Sequence, residues 1–233
     1  MPVDPAAPIT ITAFDWVPDF AKGQVRDLRV RWALEEVGQP YAVRLLPQGA
    51  QKQPPHRARQ PFGQVPTLED GDLTLFESGA IVWHIAERFP GLMPQAPSAR
   101  AMQLEWAFAA LNTLEPPLMD HAMATLFEAE EPWSAPRLPG ILARIDERLQ
   151  AASDRLGTAD WFGGDFGPGD LLMVSVLRMA DGMLAPYPNL AAYVARGTAR
   201  DAFGRALDDH IAGFTGAPPP EYLDWERRMS DQP

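Results

Sequence analysis

Cysteine is absent from the 233 residues. No disulfide, thiolate metal site or cysteine nucleophile can be built from this chain, and the absence fits a reducing cytoplasm. Long apolar runs are missing too, since none approaches the roughly 20 residues a membrane span needs. The first eight residues have neither a basic patch nor an apolar core, so no signal peptide is read there. The last residues carry no lipidation motif. Basic residues are in short supply: 20 Lys and Arg face 31 Asp and Glu, a net charge of −11. Such a surface repels phosphate backbones and anionic lipid, so neither nucleic acid nor membrane is an expected partner. The four histidines, His56, His84, His121 and His210, do not have metal-ligand spacing, and no metal is expected.

What is present is the balance of a globular chain, 46% hydrophobic and 22% charged. The charge is uneven. Residues 1–60 hold eight Lys and Arg against six Asp and Glu, a net of +2, which leaves −13 for residues 61–233. A basic N-terminal stretch in an acidic protein suits a small anionic ligand, or reflects chance asymmetry; charge alone does not separate the two.

Residues 9–14 alternate apolar and polar with β-branched side chains, which predicts a strand. Residues 24–38 change to a helical period. Val25, Leu28, Val30, Trp32, Leu34 and Val37 form a wide apolar face with Arg26, Arg29 and Arg31 beside it, and Gly38 suits a left-handed helix end. Residues 41–46 predict a second strand, and strand, helix, strand implies a parallel crossover. Residues 47–63 read as a long loop with one short helix. Short strands at residues 67–69 and 73–75 flank Asp70-Gly71, a two-residue hairpin signal. A helix is then expected from Glu77-Ser78 to about residue 89, stopped by Pro90-Gly91.

Beyond residue 97 no strand is predicted. Ser98 is the expected cap of a helix over residues 98–129, bent or broken at Pro116-Pro117. Further helices are expected at residues 136–156, 169–183, 188–197 and 199–212. The stretch around Leu171-Leu172-Met173-Val174 is apolar on nearly every side and belongs at a bundle centre. Residues 221–225 follow a proline run and either dock back or fray. The organisation is an α/β N-terminal domain (residues 1–90), a linker (91–97) and an all-α helical bundle (98–233).

Four local features then converge: Trp32-Ala33-Leu34-Glu35-Glu36-Val37-Gly38, Gln64-Val65-Pro66-Thr67, Phe76-Glu77-Ser78-Gly79-Ala80-Ile81, and Phe166-Gly167-Pro168-Gly169-Asp170-Leu171. With the two-domain order they resemble the cytosolic glutathione transferases of bacterial type, over nearly the whole chain. The resemblance implies a thioredoxin-like N-terminal domain, a helical C-terminal domain, a homodimer in the cytoplasm, and glutathione as co-substrate. It implies a cis bond before Pro66, with Val65 offering its main chain to the cysteinyl part of glutathione and Gln64 beside it. It implies that Glu77 receives the γ-glutamyl ammonium and Ser78 the γ-glutamyl carboxylate at a helix N-terminus, where unpaired N–H groups favour an anion. Lys52, or Gln53 by a shift of one residue, matches a cation for the glycine carboxylate. Trp16, Phe20, Trp106 and Phe108 are candidates to line a pocket for an apolar electrophile, or are simply core. In the fourth motif Gly167 replaces the usual Ser or Thr cap, with Asp170 at the third helical position, which reads as a folding element.

One departure stands out. The family activates the thiol with a Tyr, Ser or Cys near the end of the first strand, and residues 14–26 contain none of the three. Thr10 and Thr12 lie too early and Tyr41 too late. Lys22, Gln24 and Arg26, with the amides of residues 24–26, are the candidates left to stabilise a thiolate. The expected function is attack of glutathione thiolate on a small apolar electrophile. The alternatives are a glutathione-dependent disulfide or peroxide reductase, and a non-catalytic glutathione-binding scaffold.

Overall fold

The computed structural model describes residues 3–180, 182–220 and 222–223, in two compact units. One runs up to Val82 and includes the chain from Gly204 onward; the other is Trp83–Phe203.

The first unit carries a four-stranded sheet in the order β2-β1-β3-β4. Strand β1 (Ile9–Phe14) pairs parallel with β2 (Ala42–Leu46) and antiparallel with β3 (Thr67–Asp70), and β3 pairs with β4 (Leu73–Phe76). Ile9, Ile11, Thr12 and Ala13 are all buried, so the central strand is covered on both faces. The predicted strands are therefore present, and the hairpin turn lies one residue later than expected. Asp70 still pairs with Leu73, and the two loop residues are Gly71 and Asp72, with Gly71 supplying the positive φ of 61°.

Helix α1 (Asp27–Glu36) starts three residues late, because residues 19–26 are taken up by a short 3₁₀ turn (Asp19–Ala21) and a loop with Gly23 at φ 78°. Its end is as expected, with Gly38 left-handed at φ 66°. The loop to β3 holds a 3₁₀ turn (Ala50–Lys52) and the short α2 (Pro54–Arg57). Helix α3 (Ser78–Arg88) follows β4.

In the second unit, α4 (Pro97–Ala109) is capped by Ala96 with Pro97 in its first turn, so Ser98 is not the cap. Pro116-Pro117 do not break the following segment. A π turn (Ala110–Leu114) resets the phase, and both prolines sit in the first turn of α5 (Glu115–Ala122), where a missing N–H costs little. A second π turn (Met123–Phe127) leads on to α6 (Ser134–Leu156). Every residue of α7 (Pro168–Leu177) is buried, as an apolar helix at a bundle centre must be. Helix α8 (Pro188–Thr198) completes the unit, and α9 (Asp201–Ala212) carries the chain from it into the first. Among the described residues no strand follows β4. No described helix is long and apolar enough to cross a membrane. Of residues 221–225, only 222 and 223 are among those described.

Candidate binding and thiol site

Strand register brings the N-terminal candidates to one end of the sheet. Ile11 pairs with Leu68, so the C-terminal end of β1 runs beside the start of β3. The Thr12 and Thr67 hydroxyls meet at 3.0 Å, and the Thr67 N–H donates to Thr12 Oγ1 at 2.8 Å. Thr67 also pairs with Phe76, which puts Val65-Pro66 and Glu77-Ser78 at the same end of the β3–β4 ladder. Because β2 is parallel to β1, it leaves the sheet there as well. Asp15 N–H donates to the Leu46 carbonyl at 3.0 Å, and residues 47–53 follow.

The Val65-Pro66 bond is cis. Among the described residues nothing pairs with the Val65 main chain. Its neighbour is held firmly. The Gln64 carbonyl contacts His56 Nε2 at 2.6 Å, and the Gln64 N–H donates to Gln60 Oε1 at 3.2 Å. His56 and Gln60 are buried, and nothing in their sequence context marked them as supports for this loop.

Glu77 is the one described non-glycine residue with positive φ, 68°. A left-handed conformation costs an ordinary residue about 1–2 kcal/mol. Glu77 accepts the Ile81 N–H on its carbonyl at 3.0 Å and so takes the N-cap place, while its side chain is exposed. Ser78 is therefore the first residue of α3, not its cap. Its buried hydroxyl accepts a hydrogen bond from Arg29 Nη1 at 3.4 Å. Arg29 is itself buried on α1. An arginine inside a dense apolar helix was a usable sequence signal for a built-in cation, read there only as a flanking charge.

Lys52 and Gln53 are exposed in the loop after β2, and no described residue pairs with the Lys52 ammonium. Lys22 forms an ion pair with Asp19 at 2.7 Å on the surface. Gln24 is exposed, and its N–H already donates to the Ala21 carbonyl at 3.0 Å. Arg26 is half-buried next to the start of α1. Within the predicted amide run, the Val25 N–H has no acceptor among the described residues. The Thr12 hydroxyl is spent on Thr67, and Tyr41 is fully buried at the opposite end of β2, where burial first of all pushes its phenol well up.

Trp16 and Phe20 belong to the loop after β1. Trp16 lies edge-on to Tyr222 at 4.7 Å, its carbonyl takes a hydrogen bond from Gln48, and Phe20 is exposed. Trp106 and Phe108 belong to the other unit. Trp106 is only 8% exposed and stacks on Phe162 at 4.1 Å, which is the arrangement of a core residue; Phe108 is 58% exposed. No group of three His, Asp or Glu side chains able to hold a metal occurs among the described residues.

Residues 12–87 match the family model described as Glutathione S-transferase, N-terminal domain. Glutathione S-transferase 4 of Zea mays is 35% identical over 153 residues, 59% of this chain and 65% of that protein. Glutathione S-transferase F9 of Arabidopsis thaliana is 30% identical over 129 residues, 52% of this chain and 59% of that one. The chain thus spans about six-tenths of the length of these relatives. Among solved structures, the theta class glutathione S-transferase from Xanthomonas axonopodis pv. citri, with glutathione bound, is 29% identical at a TM-score of 0.72, covering 86% of this chain and 97% of its own. Glutathione transferase F7 from Populus trichocarpa has the same fold, with a TM-score of 0.73 over 87% of this chain and 99% of its own at 20% identity.

Proposed function

We propose that the chain is a glutathione transferase, as the match of residues 12–87 to that family's N-terminal domain and the likeness to its members support, and that it binds glutathione at the end of the sheet and presents the thiolate to a small apolar electrophile. The observation that carries the reading is the convergence of the cis Val65-Pro66 bond and the Glu77-Ser78 corner on one end of the β3–β4 ladder. Val65 offers an unpaired N–H and C=O to the cysteinyl unit. Ser78 and the free N–H groups of α3 take the γ-glutamyl carboxylate, and the exposed Glu77 carboxylate takes the ammonium. Arg29 adds positive charge behind Ser78. Lys52 or Gln53 is assigned to the glycine carboxylate, and Gln64 lines the peptide.

Residues 14–26 hold no hydroxyl for the sulfur, so the sum of other donors matters. A thiol of pKa about 8.5 is roughly 3% ionised at pH 7, and lowering it two units takes about 2.7 kcal/mol of differential stabilisation. A helix N-terminus supplies about 0.3–1 kcal/mol, or about 2 when partly buried. One hydrogen bond to the charged sulfur adds about 1.5–3 kcal/mol. The N-terminus of α1 and the Val25 N–H together meet the requirement, with Lys22, Gln24 and Arg26 as auxiliary donors. Trp16 and Phe20 border the same loop and are assigned to the electrophile's side. The family likeness extends the proposal to a homodimer in the cytoplasm, which sedimentation reads directly.

Calorimetry with glutathione, followed by conjugation of chlorodinitrobenzene between about pH 6 and 8, tests the reading. Binding together with a glutathione-dependent rate is expected. The missing hydroxyl specifically favours one rival, a protein that binds glutathione without transfer, and heat without any turnover on a panel of electrophiles would select it. No heat at millimolar glutathione overturns both.

A further inference from the structure

We propose that His210, on α9, is a positioning residue for the thiol site: it holds the loop before α1 in the form that leaves the Val25 N–H unpaired. The inference rests on the functional reading above and adds a residue 187 positions away from the loop it controls.

His210 is 1% exposed, and both of its ring nitrogens are committed. Nδ1 lies 3.0 Å from Asp27 Oδ2, and Nε2 accepts the Gly23 N–H at 3.2 Å. A ring nitrogen that accepts an N–H carries no proton, so the proton sits on Nδ1 and points at the Asp27 carboxylate. The imidazole therefore bridges two points of one short segment, the left-handed Gly23 before the loop and the first residue of α1 after it. Gln24, Val25 and Arg26 are strung between these anchors.

The surroundings keep the bridge in register. Asp27 Oδ2 also accepts Arg31 Nε at 2.8 Å, and Arg31 reaches the Asp209 carbonyl at 3.5 Å and the Tyr41 ring at 5.9 Å. Phe214 closes the ring from the side, edge-on at 4.8 Å. One turn farther along both helices, Arg205 and Glu35 form an ion pair at 2.6 Å. Burial works to raise the Asp27 carboxyl, but the contacts from His210 and Arg31 outweigh it and hold the carboxyl below its ordinary value. A stable anion at Asp27 fixes which ring nitrogen bears the proton, and so fixes Nε2 as the acceptor for Gly23. An aliphatic residue would fill the same space but would remove the acceptor that His210 Nε2 gives the Gly23 N–H.

Two amide variants separate the two halves of the bridge. In His210→Gln a carbonyl oxygen can stand where Nε2 stood and keep the Gly23 N–H. In His210→Asn an amide nitrogen can keep Asp27 but cannot reach Gly23. Thiolate absorbance of bound glutathione across pH is expected to show an apparent thiol pKa about one unit higher in the Asn variant, tenfold less thiolate near neutral pH, and a near-normal value in the Gln variant. Glutathione affinity should change less than threefold in both, because the γ-glutamyl grip is untouched. Amide exchange at Gly23, read without ligand, should speed up in the Asn variant alone. In the unmodified protein, nitrogen NMR should find the His210 proton on Nδ1. A proton on Nε2, or Gly23 exchange that is equal in the two variants, overturns the inference alone. Absence of glutathione binding in the unmodified protein overturns the functional reading and this inference with it.

Discussion

Ser78 and Glu77 do different work within one corner, and substitutions should separate them. The Ser78 hydroxyl is buried and held by Arg29; on the proposed reading Ser78→Ala removes one charge-assisted contact to the ligand carboxylate, and it leaves Arg29 Nη1 without that acceptor. Glutathione affinity should fall about tenfold, the equivalent of about 1.4 kcal/mol, as measured by calorimetry. Glu77 combines an exposed carboxylate with a left-handed φ of 68°. Glu77→Gly relieves that conformation and removes the proposed ammonium acceptor. Thermal unfolding should show no loss of stability and a gain of up to about 1 kcal/mol, while glutathione affinity drops about tenfold or more. A residue that is strained where it is exposed, and whose relief costs binding, is strained for function.

At the scale of elements, the start of α7 is built from two sources. The cap residue Gly167 offers no side chain, and Gln103 on α4 supplies what is missing. Its Oε1 accepts the Gly169 N–H at 2.8 Å, while its Nε2 donates to the Asp165 carbonyl at 2.9 Å and to Asp170 Oδ2 at 3.1 Å. Asp170 accepts in addition from the Phe162 N–H and the Tyr193 hydroxyl, both at 2.9 Å. The approach is so close that a Cβ at Gly167 would lie 2.4 Å from Gln103, and one at Gly169 would meet the Gln103 carbonyl oxygen at 2.4 Å. Gly167→Ser, which helix-cap preferences rank as an improvement, should therefore destabilise the protein by about 1–3 kcal/mol in urea unfolding. Gln103→Ala should cost about 2–3 kcal/mol, because it strands a buried N–H and removes a donor from a buried carboxylate. The segment around α7 was readable from its pattern, since Gly, Pro and an acidic third residue before an apolar run mark a helix start. The partner was not, because Gln103 lies 66 residues from Gly169 and looks like any polar residue on an amphipathic helix.

At the scale of the molecule, two buried carboxylates have opposite consequences for acid stability. The folded-state value of Asp27 is lowered, so the stability it contributes is present above the unfolded value, about 3.9, and is lost as pH falls through the folded one. Asp170 is raised, because burial outweighs the Gln103, Tyr193 and main-chain hydrogen bonds. It therefore takes up a proton in the folded state before the unfolded one, and its contribution grows as pH falls through the raised value. Asp27→Asn should flatten the acid limb of a stability-against-pH curve measured by denaturant titration, and Asp170→Asn should steepen it.

What the sequence determined by itself is local. The strands of the α/β half, the buried α7 and the left-handed Gly38 follow from spacing and side-chain type within a few residues, while the corner residues Val65-Pro66 and Glu77-Ser78 were legible through short motifs that resemble the glutathione transferases. Helix starts slipped where a loop glycine or a proline in a first turn changed the entry, as at Asp27 and Pro97. Only the tertiary structure decided which side chains support the candidate site. Arg29 reaches Ser78 across 49 positions and His210 reaches Gly23 across 187. The reason is physical: a buried polar group must find its partner wherever the chain's topology brings one within 3 Å or so, and that distance is set by strand order and helix packing rather than by neighbours in sequence.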